Sequence, residues 1–432
     1  EKLLVDLKRQ DLRDITMWCV IVDNASTTPL SSIKVPEGLE VEFHRLEKNT
    51  GGSGGFNAGN ARVLAGEGLS AKYPAPDFIW WVDSDARVGR RCLRELVKVM
   101  ARDPKVGAVG SAMRDERFLV KPDYVAACSA LVRREAVEKT GLFPDNFIYY
   151  DDIDWSLQMH RKTGMKVRAT TKSKAWHPPG DRRYCTWARY YISRNCFSTV
   201  NLMELGPKVR FRRAMVEIER AVAQSMMGLD ELAELHLRGM TDFLEGNFEQ
   251  IEPKNLLKPL GFQPYSKLPD EVRAQLAKAG PNATLWVHPL LKSRIAGLEG
   301  FRRELKNIKF EWPASRPKWK HRNLGGHLKS DSMAAMWRAM TGPTADVAIV
   351  PTGWPSAWFR GKVMIQITSE GFLVREANPK EAIKKAISVV RRGWKLAKRI
   401  EKEGDYIAPL VPAPQRKTAA PQRAPEMVGA GA

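Results

Sequence analysis

The sequence has few cysteines, no long apolar runs, and far fewer acidic than basic residues. Its five cysteines are scattered without a CxxC pair, which argues against a zinc module or a disulfide framework and fits a reducing compartment. No uninterrupted apolar stretch would span a bilayer, and the first residues do not resemble a secretory signal. Because 70 Lys and Arg stand against 49 Asp and Glu, the net charge is +21. Such a charge attracts nucleic acid, anionic lipid or phosphorylated substrates without choosing among them.

The 432 residues are too many for one ordinary core, and the hydrophobic pattern changes several times along the chain. Strand-like and helix-like segments alternate over 1–184, which predicts an α/β domain with a mostly parallel sheet. Helical spacing dominates 185–250, and strand-like pieces return in 254–408, which we interpret as a second, smaller α/β unit. The segment 409–432 is rich in Pro and Ala and is predicted to be disordered. The chain opens at Glu1 with a helix-like pattern where such a domain usually opens on a strand, so we expect an upstream strand.

Acidic residues follow the predicted strands, at the edge of the sheet where ligands bind in α/β proteins. Asp83 and Asp85 end the apolar run in "DFIWWVDSDA", and Asp23 ends "MWCVIVD". Two carboxylates at i and i+2 past a strand end can converge on one divalent cation, and Mg²⁺ and Mn²⁺ accept oxygen ligands. A solvated turn is the alternative interpretation of an isolated DxD motif.

Further candidate residues lie in "NTGGSGGFNAGN", "YYDDIDW" and "KAWHPPG". The glycines of the first segment are predicted to form a loop before a helix, where backbone N–H groups can approach a ligand closely. A flexible loop without a ligand would have the same pattern. Crowding of Asp151, Asp152 and Asp154 should raise the pKa of one carboxyl group, which suits a general base. Acids that decorate a helix N-terminus are the alternative, and an isolated histidine such as His177 is more often structural than a ligand.

Taken in order, five segments resemble glycosyltransferase family 2, most closely the bacterial galactofuranosyltransferases and the rhamnosyltransferases near them. The segments are "IVDNAST", "NTGGSGGFNAG", "WWVDSDA", "FPDNFIYYDDIDWSLQMHRKTG" and "KAWHPPG", and the likeness covers roughly 1–200. The resemblance implies a GT-A fold and a metal-dependent enzyme that inverts the anomeric centre in one displacement. It implies a UDP-sugar donor such as UDP-galactofuranose, with dTDP-rhamnose as the alternative. The implied acceptor is a hydroxyl of a glycan or lipid-linked glycan in cell-envelope polysaccharide synthesis.

The resemblance also implies a set of nucleotide-sugar contacts. Asp23 matches the acid that contacts the nucleotide base, and Asn49 matches a nucleotide contact before the glycine loop. The resemblance implies that Asp83 contacts the nucleotide sugar as well. The glycines of the loop are Gly51, Gly52, Gly54 and Gly55.

The metal and the catalytic base are implied in the same way. Asp83 and Asp85 match the outer acids of the family's acidic triplet, which hold Mn²⁺ or Mg²⁺ against the donor diphosphate. His177 matches a third metal ligand of the galactofuranosyltransferases. Asp152, with Asp151 beside it, matches the catalytic base that takes the proton of the acceptor hydroxyl.

Three larger side chains are candidates for the acceptor side of the site. Trp155 follows the paired acids, and Tyr191 and Arg194 lie in "TWARYYISRN", which looks like the post-catalytic helix of the family. The alternative is a helix that packs these residues on the sheet.

A basic amphipathic helix is predicted over 380–403. Its apolar face is predicted to carry Ile383, Ile387, Val390, Trp394, Ala397 and Ile400. This helix could lie on an anionic membrane with Trp394 at the interface, or pack its stripe on the C-terminal unit. Lipid-linked acceptors favour peripheral contact with the inner face of the plasma membrane.

Two other functional classes compete with the enzyme. The net charge of +21 is compatible with a nucleic-acid-binding protein, but no helix-turn-helix, RNP or zinc pattern supports one, so no nucleic-acid partner is expected. A catalytically inactive glycan-binding scaffold would not need to retain Asp83, Asp85, Asp152 and His177.

Overall fold

The chain divides into two compact units in a computed structural model. One unit is Glu1–His177 together with the segment that starts at Ala408, and the other is Pro178–Ile407, where the sequence predicted boundaries at 184, 250 and 408. The structure describes 1–113, 124–177, 188–226, 230–251, 270–280, 283–287, 309–311, 345–351, 361–368, 371–376 and 379–416. In this part of the chain, no helix combines the length and the apolar character needed to cross a membrane.

The first unit alternates strands and helices, as its sequence predicted. The strands are β1 Cys19–Asp23, β2 Val41–Arg45, β3 Phe78–Val82, β4 Arg87–Val88, β5 Val106–Met113, β6 Ser129–Arg133 and β7 Lys166–Trp176. The helices are α1 Lys2–Lys8, α2 Gly51–Ala65, α3 Cys92–Arg102, α4 Arg134–Thr140 and α5 Asp151–Thr163. The predicted α/β class is confirmed.

The strands of the first unit pair in both directions. β1 and β2 form a parallel pair, and the other strands form a sheet in the order β3-β6-β5-β7-β4. Within that sheet β5 and β7 are parallel, whereas β6 is antiparallel to β3 and β5, and β4 is antiparallel to β7. The short β4–β7 pairing matters for the site, because it places the C-terminal end of β7 beside the turn that follows β3.

The core of the first unit lies on both faces of the sheet. Successive side chains of a strand point to opposite faces, and β3 shows this directly. Trp81 packs with Phe143 and Trp155 in one cluster, while Trp80 and Val82 pack against the other. Burial on both faces explains why β3 is a continuous apolar run that ends abruptly at acids.

Residues 409–416 correct the predicted disorder of the C-terminal segment, of which 417–432 lies outside the described residues. Leu410 and Val411 pack against the cluster that contains Phe143. The Leu142 N–H donates to the Val411 carbonyl at 2.7 Å, and Pro144 forms an antiparallel bridge with Leu410. The apolar residues inside this Pro-rich stretch supply the burial that composition alone did not predict.

The second unit contains helices and a separate sheet. Its helices are α6 Ala188–Leu202, α7 Pro207–Met226, α8 Asp230–Leu244, α9 Asp270–Ala279 and α10 Pro379–Glu403. Its strands are β8 Thr284–Val287, β9 Lys309–Glu311, β10 Ala345–Pro351, β11 Gly361–Thr368 and β12 Gly371–Glu376, in the order β12-β11-β10-β8-β9. All described neighbours in this sheet are parallel except β11 and β12.

The apolar face predicted for α10 is divided in two. Ala397 and Ile400 are fully buried, but Ile383, Ile387, Val390 and Trp394 are among the exposed large apolar side chains. The helix instead buries a neighbouring face that carries Ala386, Val389 and Gly393. A Cβ at Gly393 would lie 2.6 Å from Ile218 Cγ1 of α7, so glycine permits the close approach of the two helices.

Candidate functional site

Two acids and a histidine converge just past the ends of β3 and β7. The Nε2 atom of His177 lies 3.2 Å from an Asp83 carboxylate oxygen and 3.4 Å from an Asp85 carboxylate oxygen. Asp83 and Asp85 follow β3, and β4 begins two residues after Asp85 and pairs with the last residues of β7. The pairing of Arg87 with Trp176 therefore brings His177 beside the acids although 92 residues separate it from Asp85 in the sequence.

These three side chains are a suitable ligand set for a divalent cation. Their ligand atoms all lie within 4.8 Å of one another, and each side chain is partly accessible to solvent. Carboxylate oxygens suit both Mg²⁺ and Mn²⁺, and a neutral imidazole is a better ligand for the transition metal. The donor set fits Mn²⁺ and leaves positions for ligand oxygens.

The glycine segment starts α2 and is not a loop before it, which corrects the sequence-based expectation. Asn24, the residue after β1, accepts the Thr50 N–H at 2.8 Å and donates to the Gly51 carbonyl at 2.7 Å. The Asn49 side chain accepts the Gly51 N–H at 2.9 Å. These side chains satisfy backbone groups at the start of α2, so the helix begins among residues whose intrinsic helix propensity is poor. Asn49 thus fixes this helix start.

The glycines of α2 allow its first turns to approach neighbouring chain segments. A Cβ at Gly51, where φ is +74°, would lie 2.0 Å from the Phe147 carbonyl oxygen. A Cβ at Gly54 would lie 2.3 Å from Thr50 Oγ1, so no larger residue fits without movement. The conditions at the remaining predicted glycines, Gly52 and Gly55, are looser: their added Cβ atoms would meet Ile148 and Asn24 at 3.7 and 3.5 Å.

The paired acids open α5 after an unusual turn. Phe147, Tyr149 and Tyr150 all have φ between 67° and 70°, a region that non-glycine residues seldom occupy. Asp151 is buried, with its Oδ2 3.3 Å from the Ser53 hydroxyl of α2. Asp152 is more accessible.

Asp152 is held by two backbone donors and is linked to Asp83 through one short segment. The N–H groups of Ala127 and Ile153 donate to its two carboxylate oxygens at 3.0 and 2.8 Å. Cys128 directly follows Ala127, and its backbone carbonyl accepts the Asp83 N–H at 3.4 Å. Adjacent residues, Ala127 and Cys128, thus contact the candidate base Asp152 and the candidate metal ligand Asp83.

Asp151 and Asp152 have pKa values above the ordinary carboxyl range. Burial is the largest cause for Asp151, and the charge of Asp152 raises its pKa further. Burial also raises the pKa of Asp152, and the charge of Asp83 adds to this, while the amides of Ala127 and Ile153 oppose it. A carboxylate whose pKa is raised toward neutrality is a stronger base than an exposed one.

Asp23 is occupied by contacts within the protein. Its side chain accepts the Ser26 N–H at 2.9 Å and the Leu30 N–H at 3.0 Å, and it pairs with Arg45. Burial would raise the pKa of Asp23, but these donors hold it well below its usual value. In this structure Asp23 shapes the turn after β1, and a direct nucleotide contact would have to share its oxygens.

The three residues predicted on the acceptor side are all buried. Trp155 is fully buried, and its ring lies edge-on to that of Trp81 with centroids 4.8 Å apart. Its indole N–H donates to the Gly141 carbonyl. Tyr191 accepts the Ile251 N–H, and Arg194 donates to the Glu249 carbonyl at 2.9 Å. Their burial opposes the predicted acceptor contacts, because these side chains form the cores of their respective units.

Two residues beside the paired acids, Ser53 and Asn146, were not predicted from the sequence. The Ser53 hydroxyl lies 2.8 Å from Asn146 Oδ1 as well as near Asp151. Ser53 lies between glycines that permit close approach of other chain segments, and this position was the one sequence signal for its contact with Asp151. Nothing in the local pattern marked Asn146.

The N-terminal third of the chain has a recognisable family signature. Residues 1–141 match the family described as Glycosyl transferase family 2. This match supports a glycosyltransferase. It includes the acids that follow β3 and the start of α2, and it ends before Asp151 and His177.

Solved glycosyltransferases show weaker likenesses. The mannosyltransferase PcManGT from Pyrobaculum calidifontis, in complex with GDP-Man and Mn²⁺, is 19% identical over 45% of this chain and 57% of that chain, with a TM-score of 0.34. S. aureus TarS 1–349 is 12% identical over 59% of this chain and 91% of that chain, with a TM-score of 0.35. GalNAc-T7 with UDP, GalNAc and Mn²⁺ is 13% identical over 56% of this chain and 53% of that chain, with a TM-score of 0.34.

Likenesses at this level define neither a substrate nor a reaction for this chain. The match to PcManGT spans little more than half of that protein. No curated protein sequence matches the chain. The α/β architecture of the first unit is consistent with the GT-A fold that the sequence resemblance implies.

Proposed function

We propose that this protein is a metal-dependent inverting glycosyltransferase. It transfers a sugar from a nucleoside diphosphate donor to a hydroxyl of a glycan or lipid-linked glycan. The observation that carries the proposal is the convergence of Asp83, Asp85 and His177, next to a segment that also holds Asp152. The family match over residues 1–141 supports the same reaction class.

The protein's own residues supply a base and a rigid support for it. The acceptor oxygen forms a bond to the anomeric carbon as the bond from that carbon to the diphosphate oxygen breaks. The hydroxyl proton passes to Asp152, and the nucleoside diphosphate leaves with the electron pair. The amides of Ala127 and Ile153 fix the orientation of the Asp152 carboxylate, while its raised pKa favours proton uptake.

Asp83, Asp85 and His177 would hold Mn²⁺ or Mg²⁺. When bound, the cation supplies positive charge that stabilises the leaving diphosphate. Because one displacement needs no covalent enzyme intermediate, a single base is sufficient. The charge of Asp152 raises the pKa of the more deeply buried Asp151, so Asp151 would remain protonated while Asp152 acts as the base.

The donor that we propose is UDP-galactofuranose, and the product belongs to cell-envelope polysaccharide. The order of the acidic, glycine-rich and histidine motifs supports this choice through their resemblance to galactofuranosyltransferases. dTDP-rhamnose is the competing donor within the same reaction class.

Calorimetric titration of UDP and dTDP, with Mn²⁺ and after chelation, tests the proposal. We expect Mn²⁺-dependent binding of UDP that Asp85→Ala abolishes. Ser84→Ala is the matched control, because Ser84 is exposed between the two acids and supplies no carboxylate. A preference for dTDP would replace the proposed donor by dTDP-rhamnose. Absence of binding by both nucleotides to the folded protein would reject the proposal in favour of a scaffold or a nucleic-acid-binding protein.

A further inference from the structure

Helix α10 carries an apolar stripe that is left largely exposed among the described residues of the second unit. Ile383, Ile387, Val390 and Trp394 are between 43% and 48% exposed. Their spacing of four, three and four residues places them on one line of an α-helix. These residues are referred to below as the α10 stripe. Single exposed apolar side chains are ordinary, but four in line on one helix mark an interaction surface.

The α10 stripe is distinct from the face by which the helix packs. Val389, Ala397 and Ile400 are at most 3% exposed, and Gly393 contacts Ile218 of α7. At about 100° per residue, this packed face is centred roughly a quarter turn from the stripe. Packing within the unit therefore explains one apolar face of α10 and leaves the stripe half exposed.

Trp394 is fixed in place although it is half exposed. Its ring lies edge-on to Phe211 of α7 with centroids 5.4 Å apart. The Lys398 ammonium lies 4.6 Å from the Phe211 ring centroid and 5.8 Å from that of Trp394. An indole held at the surface beside a cation has the arrangement that favours a membrane interface.

Basic residues line the side of the stripe away from the packed face. α10 contains nine Lys and Arg against three Glu. Lys384, Arg391 and Lys395 project about a quarter turn from the stripe, are exposed, and have no ion pair in the described part of the chain. By contrast, Lys385 and Arg392 lie on the far side of the helix and pair with Asp230 and Glu234 of α8.

We propose that the α10 stripe and its adjoining cations dock on an anionic lipid bilayer, with α10 lying in the plane of the interface. The apolar residues would enter the boundary of the acyl chains, and the unpaired cations would contact the anionic headgroups. Charge complementarity selects this occupant over a second copy of the chain, because two such faces would bring their cations together. This inference does not depend on the transfer reaction.

Flotation with phosphatidylcholine vesicles, with or without 30% phosphatidylglycerol, tests the docking surface. We expect the full chain to float only with the anionic vesicles, and to be released as salt shortens the screening length. The paired substitutions Lys384→Gln and Lys395→Gln should weaken partitioning about 25-fold, at about fivefold for each cation. Lys385→Gln with Arg392→Gln removes the same charge from the far side and should change partitioning less than about threefold, since each cation there is already paired.

A second measurement separates insertion of the stripe from attraction by charge. Brominated lipids should quench the fluorescence of the parent protein more than that of Trp394→Phe, which keeps an apolar ring at the site. Equal recovery with neutral and anionic vesicles would overturn the proposal. Equal losses for the two charge pairs, or self-association that Trp394→Ala abolishes in the absence of lipid, would also overturn it. Matching thermal melts of all variants establish that they are folded.

Discussion

Replacement of Asp152 by Asn tests the candidate base at a single atom. The carbonyl oxygen of Asn can still accept one of the two backbone N–H groups that now bond to Asp152. Its amide nitrogen cannot accept the other, and a donor left unpaired costs about 1–3 kcal/mol. The variant should therefore be slightly less stable than the parent and should remain folded.

The expected loss of transfer activity is much larger than the loss of stability. Removal of a general base typically lowers the rate about 10²–10⁴-fold. We expect a decrease of this size in the rate of UDP release with donor and acceptor, whereas calorimetric binding of UDP and Mn²⁺ should stay near the parent value. In the parent, the transfer rate should rise with pH, and the apparent pKa of this rise should lie above the ordinary carboxyl range, because burial raises the pKa of Asp152.

Asp151→Asn is the matched comparison for Asp152→Asn. Asp151 has the more deeply buried carboxyl group and lies beside the Ser53 hydroxyl, so its protonated form already resembles an amide in charge. We expect a decrease in rate of less than about tenfold, below the usual contribution of a general base. A variant Asp152→Asn that keeps more than a tenth of the activity, or an exchange of the two effects, would refute Asp152 as the base.

Three further predictions concern the metal, the glycines and the pH dependence of stability. His177→Ala should weaken Mn²⁺ binding at least about tenfold in a calorimetric titration. Loss of a residue that only supports a metal ligand already costs about that much, and a direct ligand should cost no less. Gly54→Ala should lower stability by about 1–3 kcal/mol in denaturant unfolding, because the new Cβ would lie 2.3 Å from Thr50 Oγ1. Gly59→Ala is its control in the same helix, with a nearest contact of 3.3 Å, and equal effects would contradict the reasoning. Burial raises the pKa of Asp151 in the folded protein. The Asp151 carboxyl group therefore contributes stability that is fully present below its pKa in the unfolded chain and is lost as pH rises through its pKa in the folded protein. Asp151→Asn should reduce this decline in thermal melts between pH 5 and 8, and an unchanged slope would contradict the assignment.

Strand positions were predictable because the apolar runs are interrupted by turn residues and acids. β3 ends at Val82, directly before Asp83, as the sequence indicated. The start of α2 was not predictable in the same way, because glycine disfavours a helix interior. Besides the local contact with Asn49, the helix start depends on Asn24, 27 residues earlier than Gly51, and no local pattern contains that longer-range contact.

The candidate site was only partly predictable for a similar reason. The sequence indicated that Asp83 and Asp85 share a turn, but only the pairing of β4 with β7 brings His177 to them. Apolar and aromatic character alone could not distinguish a core residue from an acceptor contact, and the burial of Trp155 opposes its predicted place on the acceptor side. Its burial against Trp81 results from packing between α5 and β3.

The turn before α5 shows how the fold holds the paired acids at the edge of the sheet. Each non-glycine residue in a left-handed conformation costs on the order of 1 kcal/mol, and Phe147, Tyr149 and Tyr150 all adopt one. The Phe147 carbonyl accepts the Ser53 N–H at 3.2 Å, and it occupies the space that a Cβ at Gly51 would need. The start of α2 therefore binds the strained turn directly. Because the acids begin α5 immediately after this turn, the close approach permitted by glycine fixes where Asp151 and Asp152 lie.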